Sequence, residues 1–244
     1  MLKEYIMELS QYNEKHVRVT DKFGNTFTGV AVHCCSDYGL HEFNREEESI
    51  SVGDYLLFTS DIASVEEIEV HGTAELWTQR LVLRRFCPED APALYLKFGA
   101  DKAMYEFSGW NPYATAEMAR QAVQRYIAGY DNPRFYAWAI DYEGVLLGTI
   151  GAYDYIDNQI EVGFSIARAC WGRGYATEAL KAVLDYLTGN ENITRVTAWC
   201  ASENIGSRRA MEKAGMRTVS TEKDGLAVGG RVYDKTTYEF RRGS

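Results

Sequence analysis

The stretch Ile160–Thr177, IEVGFSIARACWGRGYAT, decides how the rest of the chain is read. Ile160, Val162, Phe164 and Ile166 alternate with Glu161, Gly163, Ser165 and Ala167. That period of two is the pattern of a half-buried strand. Trp171-Gly172-Arg173-Gly174-Tyr175-Ala176 then turns the chain, and Ala179, Leu180, Val183, Leu184 and Leu187 follow at helical spacing. The first N–H groups of a helix lack intrahelical partners, and small residues let a backbone approach a ligand closely. Strand, glycine loop and helix start therefore make a candidate phosphate or pyrophosphate site. The glycine spacing is neither that of a P-loop nor of a dinucleotide fingerprint, and a Gly-x-Gly turn also serves as plain punctuation.

Outward from this stretch, charge divides the 244 residues into two parts. Residues 1–72 hold 5 Lys/Arg and 14 Asp/Glu, a net of −9, whereas residues 73–244 hold 21 of each. All four histidines (His16, His33, His41, His71) precede residue 73, so none serves as a base for the second part alone. A boundary near His71-Gly72-Thr73 follows, with domains 1–72 and 73–244. The five cysteines are odd in number and form no CxxC pair, which argues for a reducing, cytoplasmic setting and against a metal centre. No apolar run is long enough for a membrane span, and the acidic N-terminus lacks the h-region of a secretory signal.

In chain order, residues 1–13 predict a short amphipathic helix with Leu2, Tyr5, Ile6, Leu9 and Tyr12 on one face. Short strands follow from Val17, from Thr26 to Cys34, from Ser51 to Thr59 and from Ala63 to Val70, with an acidic loop from His41 to Glu48. They suggest a small all-β barrel. VRVTDKFGNTFTGVAVHCCSD and YLLFTSDIASVEEIE resemble the two halves of an Sm-like barrel. That family often binds RNA, but the acidity here disfavours nucleic acid. A protein-contact or homo-oligomer role fits better.

The second part predicts a mixed α/β (α+β) domain. A strand at Thr78–Phe86 leads to a helix at Pro88–Phe98 and another capped by Thr115. Phe135–Asp141 and Val145–Tyr153 form a hairpin before the opening strand, which is followed by its helix. Then come a strand at Arg195–Cys200, a helix at Ile205–Ala214, and two strands with a hairpin around Asp224-Gly225 to Gly229-Gly230.

TQRLVLR, EVGFSI with WGRGYATEAL, and ENIGSRRAMEKAGMR together resemble the GNAT acetyltransferases, in the branch that includes ribosomal-protein N-terminal acetyltransferases. The resemblance spans residues 78–240 and implies a mixed central sheet flanked by helices. It implies acetyl-CoA as cosubstrate and no metal. The pantetheine arm would run beside Phe164, Ser165 and Ile166, and the pyrophosphate would lie on the N–H groups of Gly172, Arg173, Gly174, Tyr175, Ala176 and Thr177. Trp171 stands where many members have Gln or Arg. Asn204 and Ser207 match the family's Asn-x-x-Ser: Asn204 would bind the arm and Ser207 would sit near the sulfur, or both simply cap the helix.

An amine attacking a thioester needs a base, and Glu161 is the candidate, acting directly or through a water. It also reads as an ordinary solvated or salt-bridged strand residue. Many members carry a catalytic Tyr where Met211 stands here, and some a Glu where Trp199 stands. Ser207 is then the candidate proton donor to sulfur. Trp110, Asn111, Pro112 and Tyr113, with Tyr153 and Tyr155, are the acceptor-site candidates. The expected function is N-acetyl transfer to a primary amine, a protein N-terminus or a small amine. The alternative is a non-catalytic acyl-CoA-binding or partner-recruiting protein that uses the acidic barrel.

Overall fold

The computed structural model describes residues 8–107 and 111–242. The chain divides into two compact units, Met1–Val70 and His71–Ser244.

In the first unit a 3-10 turn, Leu9–Tyr12, precedes β1 (His16–Asp21) and β2 (Thr26–Cys34). Helix α1 (Ser36–Phe43), β3 (Ser49–Val52), β4 (Tyr55–Phe58) and β5 (Ile62–Glu67) follow. Val17 and Val19 alternate inward and pack with Leu9, Ala31, Ile50 and Leu57 in one small core. Of the expected N-terminal helix, Leu2, Tyr5 and Ile6 lie outside the described residues, and Leu9 and Tyr12 belong to the 3-10 turn.

Two expectations change here. The segment expected as one strand from Ser51 is a tight hairpin, with Val52 opposite Tyr55 across Gly53-Asp54. Part of the expected acidic loop belongs to α1, a helix that buries only Gly39 and so left no apolar stripe to read. The strands expected of a small barrel are present and form one antiparallel sheet in the order β4-β3-β2-β1-β5. Its edge strands β4 and β5 share no ladder among the described residues, because β5 pairs with β1 alone and β4 with β3 alone.

The second unit opens with a short β-ribbon, β6 (Leu76–Trp77) and β7 (Val82–Arg84). The expected helix from Pro88 is three unlike pieces: a 3-10 turn, α2 (Ala91–Leu94) and a π turn, Tyr95–Gly99. Helix α3 (Ala116–Gly129) starts where Thr115 accepts the Met118 N–H at 3.1 Å. Next come β8 (Tyr136–Tyr142), β9 (Val145–Ile156), β10 (Gln159–Ile166) and α4 (Tyr175–Asn190). The chain continues through β11 (Arg195–Ala201), α5 (Ile205–Lys213), β12 (Arg217–Val228) and β13 (Arg231–Phe240). The hairpin expected around residues 224–230 turns only at Gly229-Gly230, since Val228 pairs with Arg231. Asp224-Gly225 falls instead in an irregularity of β12, where the register shifts between Glu222 and Leu226.

The eight strands form one sheet in the order β12-β13-β11-β10-β9-β8-β7-β6. One core packs Leu180, Val183 and Leu184 of α4 and Met211 of α5 against Ile160, Val162, Val196 and Tyr238. On the other face Leu94, Phe98, Ala119 and Val123 cover Ala137, Ala139 and Leu146. Alternation within β10 thus sends Ile160 and Val162 into the α4 core and Glu161 to the opposite face.

Candidate active site

β10 and β11 are the sheet's one parallel pair among the described residues, and their ladder is short. It joins Gln159, Ile160 and Glu161 to Arg195, Val196 and Thr197. β10 then stays paired with β9 as far as Ile166 opposite Gly148, while β11 leaves. A cleft opens between the two strands, with Glu161 at its apex.

Backbone groups decide what this cleft can bind. The Ala167 N–H donates to the Leu147 carbonyl at 2.8 Å, on the β9 side. Groups alternate along a strand, so the N–H and C=O of Phe164 and Ile166 point into the cleft. The Trp171 indole reaches in from there and donates to the Ile166 carbonyl at 2.6 Å. Phe164 and Ile166 turn their side chains into the α4 core and offer only backbone to the cleft.

The cleft leads to the glycine loop. Gly172 (φ +76°) and Gly174 (φ +82°) are left-handed, a conformation that costs other residues roughly 1–2 kcal/mol. Gly174 is the N-cap of α4 and gives it no side-chain bond, so the first-turn N–H groups from Tyr175 onward, beside Ala176 and Thr177, have no cap on them. Arg80 braces the loop from β7's approach. Its Nη1 donates to the Arg173 carbonyl at 3.1 Å, its Nε donates to Glu178 at 2.7 Å, and the guanidinium stacks 4.6 Å over the Tyr175 ring. Glu178 also accepts the Thr78 hydroxyl at 2.7 Å and the Arg80 N–H at 2.8 Å. Burial works against its charge, but those donors outweigh burial and hold the carboxyl below the usual range. Thr78 and Arg80 belong to TQRLVLR and Glu178 to WGRGYATEAL, motifs that by themselves assign these three residues no role. The acid in the first turn of α4 is the one sign of this brace that the sequence carries.

Side chains build the other bank. Tyr153 of β9 is the direct cross-strand partner of Glu161. Its ring covers Gly163, where an added Cβ would come within 2.8 Å of the Tyr153 hydroxyl. Burial, and next the Glu161 charge, push the Tyr153 hydroxyl pKa up. From β11 the Trp199 indole donates to Glu161 Oε1 at 2.8 Å. Lys235 of β13 sits 4.7 Å over the Trp199 ring.

Asn204 Oδ1 accepts the Ser207 N–H at 3.1 Å, so this pair does cap α5. The Asn204 amide N–H groups and the Ser207 hydroxyl take no part in that bond. Met211 is 1% exposed in the α4 core and carries no ionisable group.

The acceptor candidates are not all brought together. Trp110 lies outside the described residues. Tyr113 is 5% exposed and its hydroxyl bonds Tyr126 at 2.9 Å, so it serves the α2–α3 core and not a pocket surface. Both ends of the Asn111 amide brace its own loop, through the Gly99 carbonyl at 3.0 Å and the Tyr113 N–H at 2.9 Å. Tyr155 bonds Asn158 at 2.8 Å, beside the β9–β10 turn. Among the described members of this group, Tyr153 alone stands beside Glu161. Among the described residues no group of three His, Cys, Asp or Glu side chains could hold a metal ion, and no helix is long and apolar enough to cross a membrane.

The family described as "Acetyltransferase (GNAT) domain" matches residues 80–217. The uncharacterized N-acetyltransferase YoaA of Bacillus subtilis is 27% identical over 169 residues, 68% of this chain and 95% of its own. Mycobacterium smegmatis RimJ, solved in complex with CoA-disulfide, superposes with a TM-score of 0.64 at 20% identity, covering 72% of this chain and 90% of its own. RimL, a ribosomal L7/L12 alpha-N-protein acetyltransferase solved in complex with coenzyme A, gives 0.59 at 20%, covering 71% and 98%. At those identities the two structures speak for the fold. With the family match spanning more than half of the sequence, the chain belongs to the GNAT acetyltransferases.

Proposed function

We propose that the second unit transfers an acetyl group from acetyl-CoA to a primary amine, and that the α-amine of a polypeptide is the acceptor class to test first. The cleft carries this reading. A strand edge that presents backbone N–H and C=O groups, and leads straight to an uncapped helix start, suits an amide-bearing arm that ends in a pyrophosphate. CoA-bound neighbours and a neighbour named for α-N-protein acetylation support the same choice.

In this reading Phe164 lines the arm through its backbone N–H and C=O and Ile166 through its N–H, with Ser165 between them on the strand, and the Phe164 N–H polarises the thioester carbonyl. Residues Gly172–Thr177 receive the pyrophosphate, and Asn204 binds the arm with its free amide group. Glu161 takes the proton from the acceptor ammonium, Tyr153 borders the amine, and the second proton that the nitrogen loses as the amide forms passes through the Ser207 hydroxyl to the departing sulfur, which leaves as the CoA thiol with the serine hydroxyl restored. The −9 first unit would act as a separate domain, residues 1–72, that engages a protein partner. Limited proteolysis tests that division, with cleavage expected between the two units before either one is degraded.

Calorimetric titration with acetyl-CoA tests the cofactor site, and thiol release tests turnover. Peptides beginning with Ser or Ala, spermidine and free amino acids are the probes. Binding with amine-dependent thiol release supports transfer. Binding without it favours an acyl-CoA sensor, and no binding removes the reading.

A further inference from the structure

We infer that Trp199 is a positioning residue for Glu161, holding its carboxylate at the apex of the cleft through the indole N–H. The inference rests on the reading of Glu161 as the base. Trp199 carries no ionisable group, so it cannot itself act as a base. The geometry gives it another task. Glu161 is the last β10 residue in the parallel ladder, and Trp199 lies two residues beyond its partner Thr197, on the diverging strand. The indole bridges the gap that the divergence creates, with Nε1 at 2.8 Å from Glu161 Oε1.

An indole N–H only donates, so it accepts no proton from Glu161 and does not compete as a base. A glutamate has three rotatable bonds, and pinning one oxygen fixes where the second oxygen points before the amine arrives. Tyr153 flanks the same carboxylate from β9. The Lys235 ammonium on the ring polarises the indole and makes its N–H a better donor to an anion. Three strands thus converge on one carboxylate, and no member of the set is contiguous with another in sequence.

Two readouts test this in the full-length chain. The first is the indole N–H region of a proton–nitrogen NMR spectrum, which needs no acceptor. The Trp199 signal, assigned by its loss in Trp199→Phe, should lie downfield in the parent and move upfield in Glu161→Gln, where the acceptor is neutral. A signal that does not move overturns the inference. The second is kinetics with acetyl-CoA and the probe amine turned over fastest. Trp199→Phe should lower kcat about tenfold with the KM for acetyl-CoA within about twofold. That loss should vanish when Phe is combined with Glu161→Gln. Lys235→Met, which leaves the indole in place, should lower kcat by a smaller factor. Parent-like kcat in Trp199→Phe, or the same loss on both backgrounds, overturns the positioning role and leaves Glu161 untouched. A Glu161→Gln enzyme with parent-like kcat instead removes the base assignment itself. Thermal melts of each variant separate these outcomes from lost packing.

Discussion

The two banks of the β10–β11 cleft are built in opposite ways. The loop bank, from Phe164 to Thr177, is one continuous stretch and works through backbone: the N–H and C=O groups of a strand edge, two left-handed glycines and a helix start. The apex is built from side chains, with Tyr153, Glu161 and Trp199 contributed by three strands. Backbone sites tolerate changes of side chain and fail on changes of conformation or charge. Side-chain sites fail when one atom is removed.

Variants on the loop bank test that contrast. The largest effect is expected for Gly174→Glu, which pays the cost of the left-handed backbone and sets a carboxylate beside the pyrophosphate. Acetyl-CoA affinity should fall by on the order of a hundredfold by calorimetry. Gly174→Ala shares the conformational cost without the charge and should retain most of the affinity. Equal losses would mean that loop geometry, not charge, sets binding.

Arg80→Ala comes next. It removes the bond to the Arg173 carbonyl and the cation beside the loop, so affinity should drop about fivefold, and by less at high salt. An unchanged affinity would show that the loop holds its shape without the brace.

The smallest effect concerns stability. The Glu178 carboxyl is held below its usual 4.5 by Thr78 and Arg80 despite burial. Its contribution is therefore complete above about pH 4.5 and is lost as pH falls through the folded-state value. Glu178→Gln should melt at a lower temperature than the parent at pH 7, and the gap should close on acidification. A gap that persists in acid would assign the loss to packing.

Legibility followed the same division. The strand, loop and helix of Ile160–Asn190 could be read because each carries its own period and its glycines are contiguous. The type and spacing of Asn204 suit both a cofactor contact and a helix cap, and the structure has its Oδ1 capping α5. α1 could not be read, since a helix that buries one glycine shows no stripe. The resemblance points for the acceptor site to the loop between the first two helices, but Tyr113 of that loop lies in the core with its hydroxyl bonded to Tyr126, a packing partner that no local pattern marks.

Glu191 shows the limit most plainly. In sequence it is one more acid after a helix. In the fold it is 0% exposed and accepts the Tyr136 and Tyr186 hydroxyls at 2.7 and 2.8 Å and the His71 N–H at 2.9 Å. By itself the sequence determined the charge division, the α/β alternation of the second unit and the glycine loop, because those are written in composition and local period. Tertiary structure alone decided that β11 leaves β10 at Glu161, that Trp199 reaches back to it, and that β4 and β5 do not pair. Those depend on which distant strands meet and where their ladders end, and no local pattern of residues records that.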